Sequence, residues 1–405
     1  MSQDAETPAQ IHLPSGFSFS SVAAGIKVSG RKDLALVECA PGTRAAAMFT
    51  RNRVVAAPVE VGREALKSSR GRVRAVIVNS GNANCATGKD GLRGCRKVCS
   101  EMAKLLGARA DEIFPSSTGI IGVPFPAETI TGKLGHLVGG QHASEEAARS
   151  FAQTIMTTDT RVKMASAVFQ TRKGKVKLLG IAKGSGMIHP KLATMLVYLL
   201  TDLEAEPARM KQLLLETCDQ TFNCISVDGD TSTNDTVLLL SSGQSGVRIT
   251  DAGVGQSFRE SLGEICSSLA YQIVSDGEGV QHVIELHIEQ AKNRDEAMQV
   301  ARAIAHSPLV KTAWAGADPN WGRILAAVGN SGIPIDAARV NIYIGDQLVC
   351  LHGSSHAFDE ARAHAHLARQ ECQVRVEVGR GRHGVRFWTT DLSAEYVRIN
   401  ADYST

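Results

Sequence analysis

No run in the sequence approaches the roughly 18 consecutive apolar residues of a membrane span; the longest candidate, Met195 to Leu200, is strand-sized. A membrane partner is not expected. Charge of one sign is equally scarce. Against 44 Lys plus Arg stand 41 Asp plus Glu, and a formal net charge of +3 over 405 residues leaves no dense footprint for nucleic acid. The N-terminal MSQDAETPAQ lacks the basic-then-apolar layout of a signal peptide. Residues 1–12 read as a flexible tail, with the cytoplasm as the default compartment.

Metal and phosphate motifs are missing too. The nine cysteines include no CxxC, and Cys95 with Cys99, at helical i,i+4 spacing, read as small buried hydrophobes. The nearest approach to a P-loop, Gly81 to Lys89, has the wrong gap and ends in Asp90, and there is no GxSxG elbow. Asp228-x-Asp230 opens like a calcium loop, but Thr233 stands where the loop needs glycine and Leu239 where it needs glutamate. His352, His356, His364 and His366 lack the glutamate of a zincin and read as a surface cluster. No metal site is expected.

What is present is ordinary globular composition, with 43% hydrophobic and 21% charged residues, at a length that suits two domains or one large domain with a satellite. Helical and strand periods alternate, the pattern of an α/β layer fold. Arg74 to Val78 reads as a buried strand ending in a loop of turn formers, Asn79 to Asn84, before a helix with the apolar face Leu92, Cys95, Cys99, Met102 and Leu106. Helices are predicted around Met210–Leu214, Phe258–Ile273 and Arg294–His306, and strands over Val340–Ile344, Val374–Val378 and Val385–Trp388. Val397 and Ile399 alternate with Arg398 and Asn400, which predicts a terminal strand.

Three glycine-bearing polar loops stand beside apolar runs, as sites need where backbone approaches a ligand: Ser116 to Gly119, Lys183 to Gly186, and Asp228 to Asp230. Each alone is compatible with simple turn chemistry. The stretch KGSGMIHPKLATMLVYLLTD, from Lys183 to Asp202, adds small Ala193 beside Thr194 at the head of an apolar run. That layout suits a chain that cuts itself before Thr194, freeing an α-amine with a pKa near 8 that can accept the hydroxyl proton. Taken alone, Thr194 reads first as a β-branched strand residue.

The same stretch resembles the self-cleavage motif of the ornithine acetyltransferases, whose nucleophile is the threonine of an Ala-Thr-Met-Leu segment. The resemblance extends over most of the chain. Val78–Asn84, Ser116–Gly122, Met156–Thr160, Ser226–Thr236, Asp276–Gly279, Asp318–Arg323 and Ile399–Tyr403 are similar to family signatures in family order. It implies a layered α-β-β-α self-processing fold of the N-terminal-nucleophile type. It also implies an α chain, 13–193, and a β chain, 194–405, the latter including a smaller C-terminal α/β region at about 285–390. Thr194 would be nucleophile and cleavage site, after Ala193. Thr118 and Gly119 would form the oxyanion hole, and Thr157, Lys183, Thr194, Glu278, Asn400 and Thr405 the substrate-binding set.

The chain departs from the family pattern at Val280-Gln281-His282, at Ser404, and at His189 and Lys191. The implied reaction carries acetyl from N2-acetylornithine to glutamate through acetyl-Thr194, as a step of arginine biosynthesis. It needs no cofactor, although acetyl-CoA is expected as a second donor, and the implied assembly is an α2β2 heterotetramer. A single-activity transferase, a self-processing aminopeptidase or amidohydrolase of related fold, and an uncleaved binding protein are the alternatives. Glu278 and Asn400 favour an amino-acid acceptor.

Overall fold

The structure, a computed structural model, describes residues 11–189 and 195–402. The first sheet runs β1 (Phe17–Val22), β2 (Leu34–Cys39), β4 (Ala75–Asn82), β5 (Ile113–Ile120), with only the last pair parallel. The second runs β3 (Arg44–Phe49), β9 (Thr236–Ser241), β8 (Leu196–Thr201), β7 (Gly174–Lys183), β6 (Lys163–Thr171), with β8 and β9 parallel.

Alternation along the strands stacks these sheets. Val76 and Val78 of β4 meet Leu196, Tyr198 and Leu200 of β8 in one shared core. The opposite faces turn outward to helices. Ala75 and Ile77 pack with Cys95, Cys99 and Met102 of the helix Gly88–Leu106. Val197 and Leu199 pack with Leu213 and Leu214 of Pro207–Gln220 and with Leu262 and Leu269 of Val254–Val274. The result is four layers, α-β-β-α. The central strand β8 is buried throughout, and nearly all apolar, because both of its faces are covered. Each fully buried Leu or Ile contributes about 1.5–3 kcal/mol.

A third sheet, β13 (Ser354–Ser355), β12 (Gln347–Leu351), β11 (Asn341–Ile344), β14 (Glu371–Glu377), β10 (Val283–Ala291), β15 (His383–Thr390), buries Ile284, Leu286 and Ile288 against the helices Arg294–Ala305 and Trp321–Gly329. Among the described residues no helix is long and apolar enough to cross a membrane.

Three local expectations change. The polar segment from Asn79 continues β4 to Asn82, and Ser116 to Gly119 lies inside β5, because the two segments pair with each other in parallel register. The C-terminal alternation is not a strand. Residues Ala394–Asp402 form a helix whose first turn is capped by Ser393, its Oγ accepting from Tyr396 N at 3.2 Å, and Arg398 reaches Glu395 at 2.6 Å. A serine cap and i,i+3 pairing outweigh a two-residue alternation.

Candidate active site

Loops at one end of the two stacked sheets enclose a cavity of about 290 Å³. The paired ends of β4 and β5 form one wall. Ser117 Oγ donates to Asn79 Oδ1 at 2.6 Å, and Asn79 Nδ2 donates to Asn82 O at 2.8 Å. Asn234, just before β9, donates to Ala83 O at 2.7 Å and Ser117 O at 2.9 Å, tying the second sheet to that wall. Every amide in this polar stretch has structural work, which explains polar residues inside strands. Gly119 sits at φ +130°, and a Cβ there would lie 2.3 Å from the Gly81 carbonyl carbon. Only glycine fits.

Lys183, the last residue of β7, is buried and donates to Thr157 Oγ1 at 2.8 Å and to Thr118 Oγ1 at 3.1 Å. With its oxygen accepting from the ammonium, the Thr118 hydroxyl has its hydrogen left to donate. Lys183 belongs to a buried cluster with Asp159, Lys163 and Asp276, edged by the exposed Arg161, 3.6 Å from Asp276. Asp159 approaches Lys183 Nζ at 3.9 Å and accepts from Lys163 Nζ at 2.7 Å, Gly184 N at 2.6 Å and Thr157 N at 3.0 Å. Lys163 also reaches Asp276 at 2.5 Å.

Burial works against charge on Asp159, but Lys183, Lys163 and the hydrogen bonds overcome it and hold the carboxyl well below the usual range. Burial, with Lys163 adding to it, pulls Lys183 down, opposed by Asp159 and Glu278.

The other side of the cavity is acidic. Glu278 accepts from Asn400 Nδ2 at 2.9 Å, and its carboxylate lies against Gly186, where a Cβ would be 2.5 Å away. The next residue, Met187, donates its N–H to Asp228 Oδ2 at 2.6 Å. Two carboxylates thus flank consecutive residues of one loop. Asp228 is pushed up to about 6, chiefly by burial and then by Asp230 and Glu278, against the pull of its two backbone hydrogen bonds. The Tyr396 phenol lines the same end and is raised by burial and by these carboxylates.

Thr118, Gly119, Thr157, Lys183, Glu278 and Asn400 therefore line one cavity, although they come from five separate segments. Ala193, Thr194 and Thr405 lie outside the described residues. Met195 directly follows position 194, and its carbonyl accepts from Thr236 N at 3.0 Å. Lys183 pairs with Leu196, the residue after it.

Sequence reasoning assigned no role to Asp159, Asp228, Asn234 or Tyr396, or to Asp235, a fully buried carboxyl beside Met195 that burial raises well above the usual range. For Asp228, Asn234 and Asp235 the signal available was the density of polar residues from Ser226 to Thr236 ahead of the apolar strand β9.

A model of the ArgJ family matches residues 18–405 of the chain. The arginine biosynthesis bifunctional protein ArgJ of Pseudomonas fluorescens is 39% identical over 98% of this chain and 98% of its own. That of Methylococcus capsulatus is 43% identical over 96% and 95%. The crystal structure of the arginine biosynthesis bifunctional protein ArgJ of Bacillus halodurans is 37% identical, covers 51% of this chain and 98% of the solved one, and superposes with a TM-score of 0.49.

Proposed function

The chain belongs to the ArgJ family, and from that premise we propose that its cavity moves an acetyl group from N2-acetylornithine to glutamate through an acetyl-Thr194 intermediate. The observation that carries this reading is the convergence of Thr118, Gly119, Thr157, Lys183, Glu278 and Asn400 on one cavity beside the start of β8.

Self-cleavage between Ala193 and Thr194 frees the Thr194 α-amine. That amine takes the hydroxyl proton as Thr194 Oγ bonds to the acetyl carbon. The Thr118 hydroxyl and the Gly119 N–H receive the carbonyl oxygen as it becomes an oxyanion, a device worth about 10²–10³ in rate per donor. Collapse breaks the carbon–nitrogen bond, and the proton passes to the departing ornithine amine. The α-amine of glutamate then attacks the ester, takes the acetyl group, and returns the proton to Thr194.

Lys183 uses two of its three N–H bonds on Thr118 and Thr157, and the third suits the α-carboxylate shared by both substrates. Glu278 and Asn400 face the distal group, with Thr405 in the same set. No cofactor takes part in either half-reaction. Acetyl-CoA serves as a second donor, a reading supported by the bifunctional designation of the relatives. The cleaved α and β chains would act together as an α2β2 enzyme in the cytoplasm.

The test is acetyl transfer from N2-acetylornithine to glutamate by the purified protein, with acetyl-CoA in parallel. The β-chain peptide beginning at Thr194 should carry acetyl after one turnover without acceptor. Absence of transfer and of that peptide would overturn the reading.

A further inference from the structure

The two substrates of the proposed reaction make opposite demands on the acidic end of the cavity. With the α-carboxylate at Lys183, acetylornithine carries a distal ammonium to that end, whereas glutamate carries a distal carboxylate. Glu278, Asp228 and Asp230 all line it. A fourth carboxylate brought among them is repelled unless a proton accompanies it.

We propose that Asp228 is a specificity-determining residue that meets the distal ammonium of ornithine as an anion and the distal carboxylate of glutamate as a proton-bearing donor. The inference rests on the proposed acetyl transfer and concerns the same cavity. Geometry singles out Asp228 among the three acids. Its Oδ2 is fixed by Met187 N at 2.6 Å and its Oδ1 by Asp230 N at 3.1 Å, so the group is held in place beside Glu278 whichever state it adopts. Glu278 is engaged by Asn400. Asp230 is exposed.

The groups facing Asp228 come from four elements. They are Asp230 on its own loop, Glu278 after the helix Val254–Val274, Tyr396 on the C-terminal helix, and Lys311 on the helix Pro308–Ala315. His306 packs on Gly229, 3.3 Å from where a Cβ would stand. With Asp228 near 6, about one molecule in ten carries the proton at pH 7, so a ligand that prefers either form can recruit it. A carboxyl in the ordinary range would be almost wholly ionised and would reject glutamate.

The experiment is calorimetric binding of L-glutamate and of L-ornithine to the unacetylated enzyme at pH 7, in buffers of different ionisation enthalpy. Both ligands have the same α-groups, so proton exchange common to them cancels in the difference. Glutamate should take up close to one proton more than ornithine. In half-reactions, the KM for glutamate should rise about tenfold per pH unit above 6, while that for acetylornithine rises below 6.

Asp228→Asn keeps a donor but cannot become an anion. Its amide nitrogen replaces an oxygen that accepts a backbone N–H, so its KM for acetylornithine should rise at least about tenfold and by more than that for glutamate, and the difference in proton uptake should vanish. Equal proton uptake by the two ligands in the wild type would overturn the inference, as would an uptake difference that survives in Asp228→Asn. Should the variant fail to fold, the wild-type uptake difference and the opposed pH slopes decide alone. Absence of acetyl exchange in the wild type would instead overturn the reading of function.

Discussion

Gly119→Ala tests the wall of the cavity, because two costs at this position can be separated by a neighbour. A residue with a side chain in a left-handed conformation costs roughly 1–2 kcal/mol, and that applies at both Gly119, φ +130°, and Gly122, φ +83°. At Gly122 a Cβ meets nothing within 4 Å. At Gly119 it would lie 2.3 Å from Gly81 C and 2.6 Å from Asn82 N, both backbone atoms in the paired strand. Neither atom belongs to a flexible side chain, so β4 and β5 must part, adding about 1–3 kcal/mol as other overpacked sites do.

Gly119→Ala should then melt several degrees below Gly122→Ala. Because the displaced strand carries the Gly119 N–H and the Thr118 hydroxyl, single-turnover acetylation should fall by about 10²–10³, the worth of one oxyanion donor. Gly122→Ala should acetylate within a fewfold of wild type. Scanning calorimetry with rapid-quench acetylation from N2-acetylornithine reads both quantities. Equal melting midpoints and equal acetylation rates for the two variants would refute the argument.

Denaturing electrophoresis should resolve wild-type protein into two fragments of about 20 kDa, at ~110 Da per residue, and Thr194→Ala into one; a single species in active wild type rules out cleavage. Double-reciprocal plots at several glutamate concentrations should be parallel, as an acetyl-enzyme requires, and intersecting lines would point to direct transfer. Lys163→Met strips Asp159 and Asp276 of their shared cation and should cost about 3–5 kcal/mol in chemical denaturation; a loss near zero would show that the cluster is not energetically coupled. Asp159 has its folded pKa depressed, so the stability it contributes is present above the unfolded value near 4 and is lost as pH falls below it; wild-type melting points should drop on acidification through that range.

Sequence patterns were reliable where one physical signal acted alone. The helix Gly88–Leu106 was legible because Leu92, Cys95, Cys99 and Met102 keep a 3.6-residue period on one face. The buried run Met195–Leu200 was legible as a strand by length and composition. Polar strand ends were not. Asn79, Ser80, Ser116 and Ser117 look like loop formers because local propensity ignores partners 38 residues away, such as Ser117 on Asn79.

The acidic residues of the cavity were unreadable for the same reason. Asp228 and Glu278 meet only through the fold of the Gly186–Met187 loop, and nothing in the spacing of either reports it. Lys183 looked like a loop charge, and its burial at the end of β7 depends on Asp159 and Lys163 arriving to neutralise it.

The two ends of the cavity differ in how firmly they are built, and this bears on how one cavity can serve two amino acids. The cationic end is welded into the sandwich. Lys183 closes β7, its partners Thr118 and Asp159 sit in or beside buried strands, and Lys163 carries the linkage on to Asp276. Such a cluster is costly to rearrange, which suits a group both substrates share, the α-carboxylate.

The acidic end is assembled from the rims of the fold. The Asp228–Asp230 loop is tied to its neighbour through Met187 N on Asp228 Oδ2, and the C-terminal helix, which has no buried residue, is tied down by Ser393 Oγ on Gly279 O at 2.6 Å and Asn400 on Glu278. Segments with few buried apolar contacts open at low free energy. Under the proposed function these rims admit the ligand, and accommodation of an ammonium in one half-reaction and a carboxylate in the other falls to the proton on Asp228, while the end that aligns the reacting carbon stays fixed.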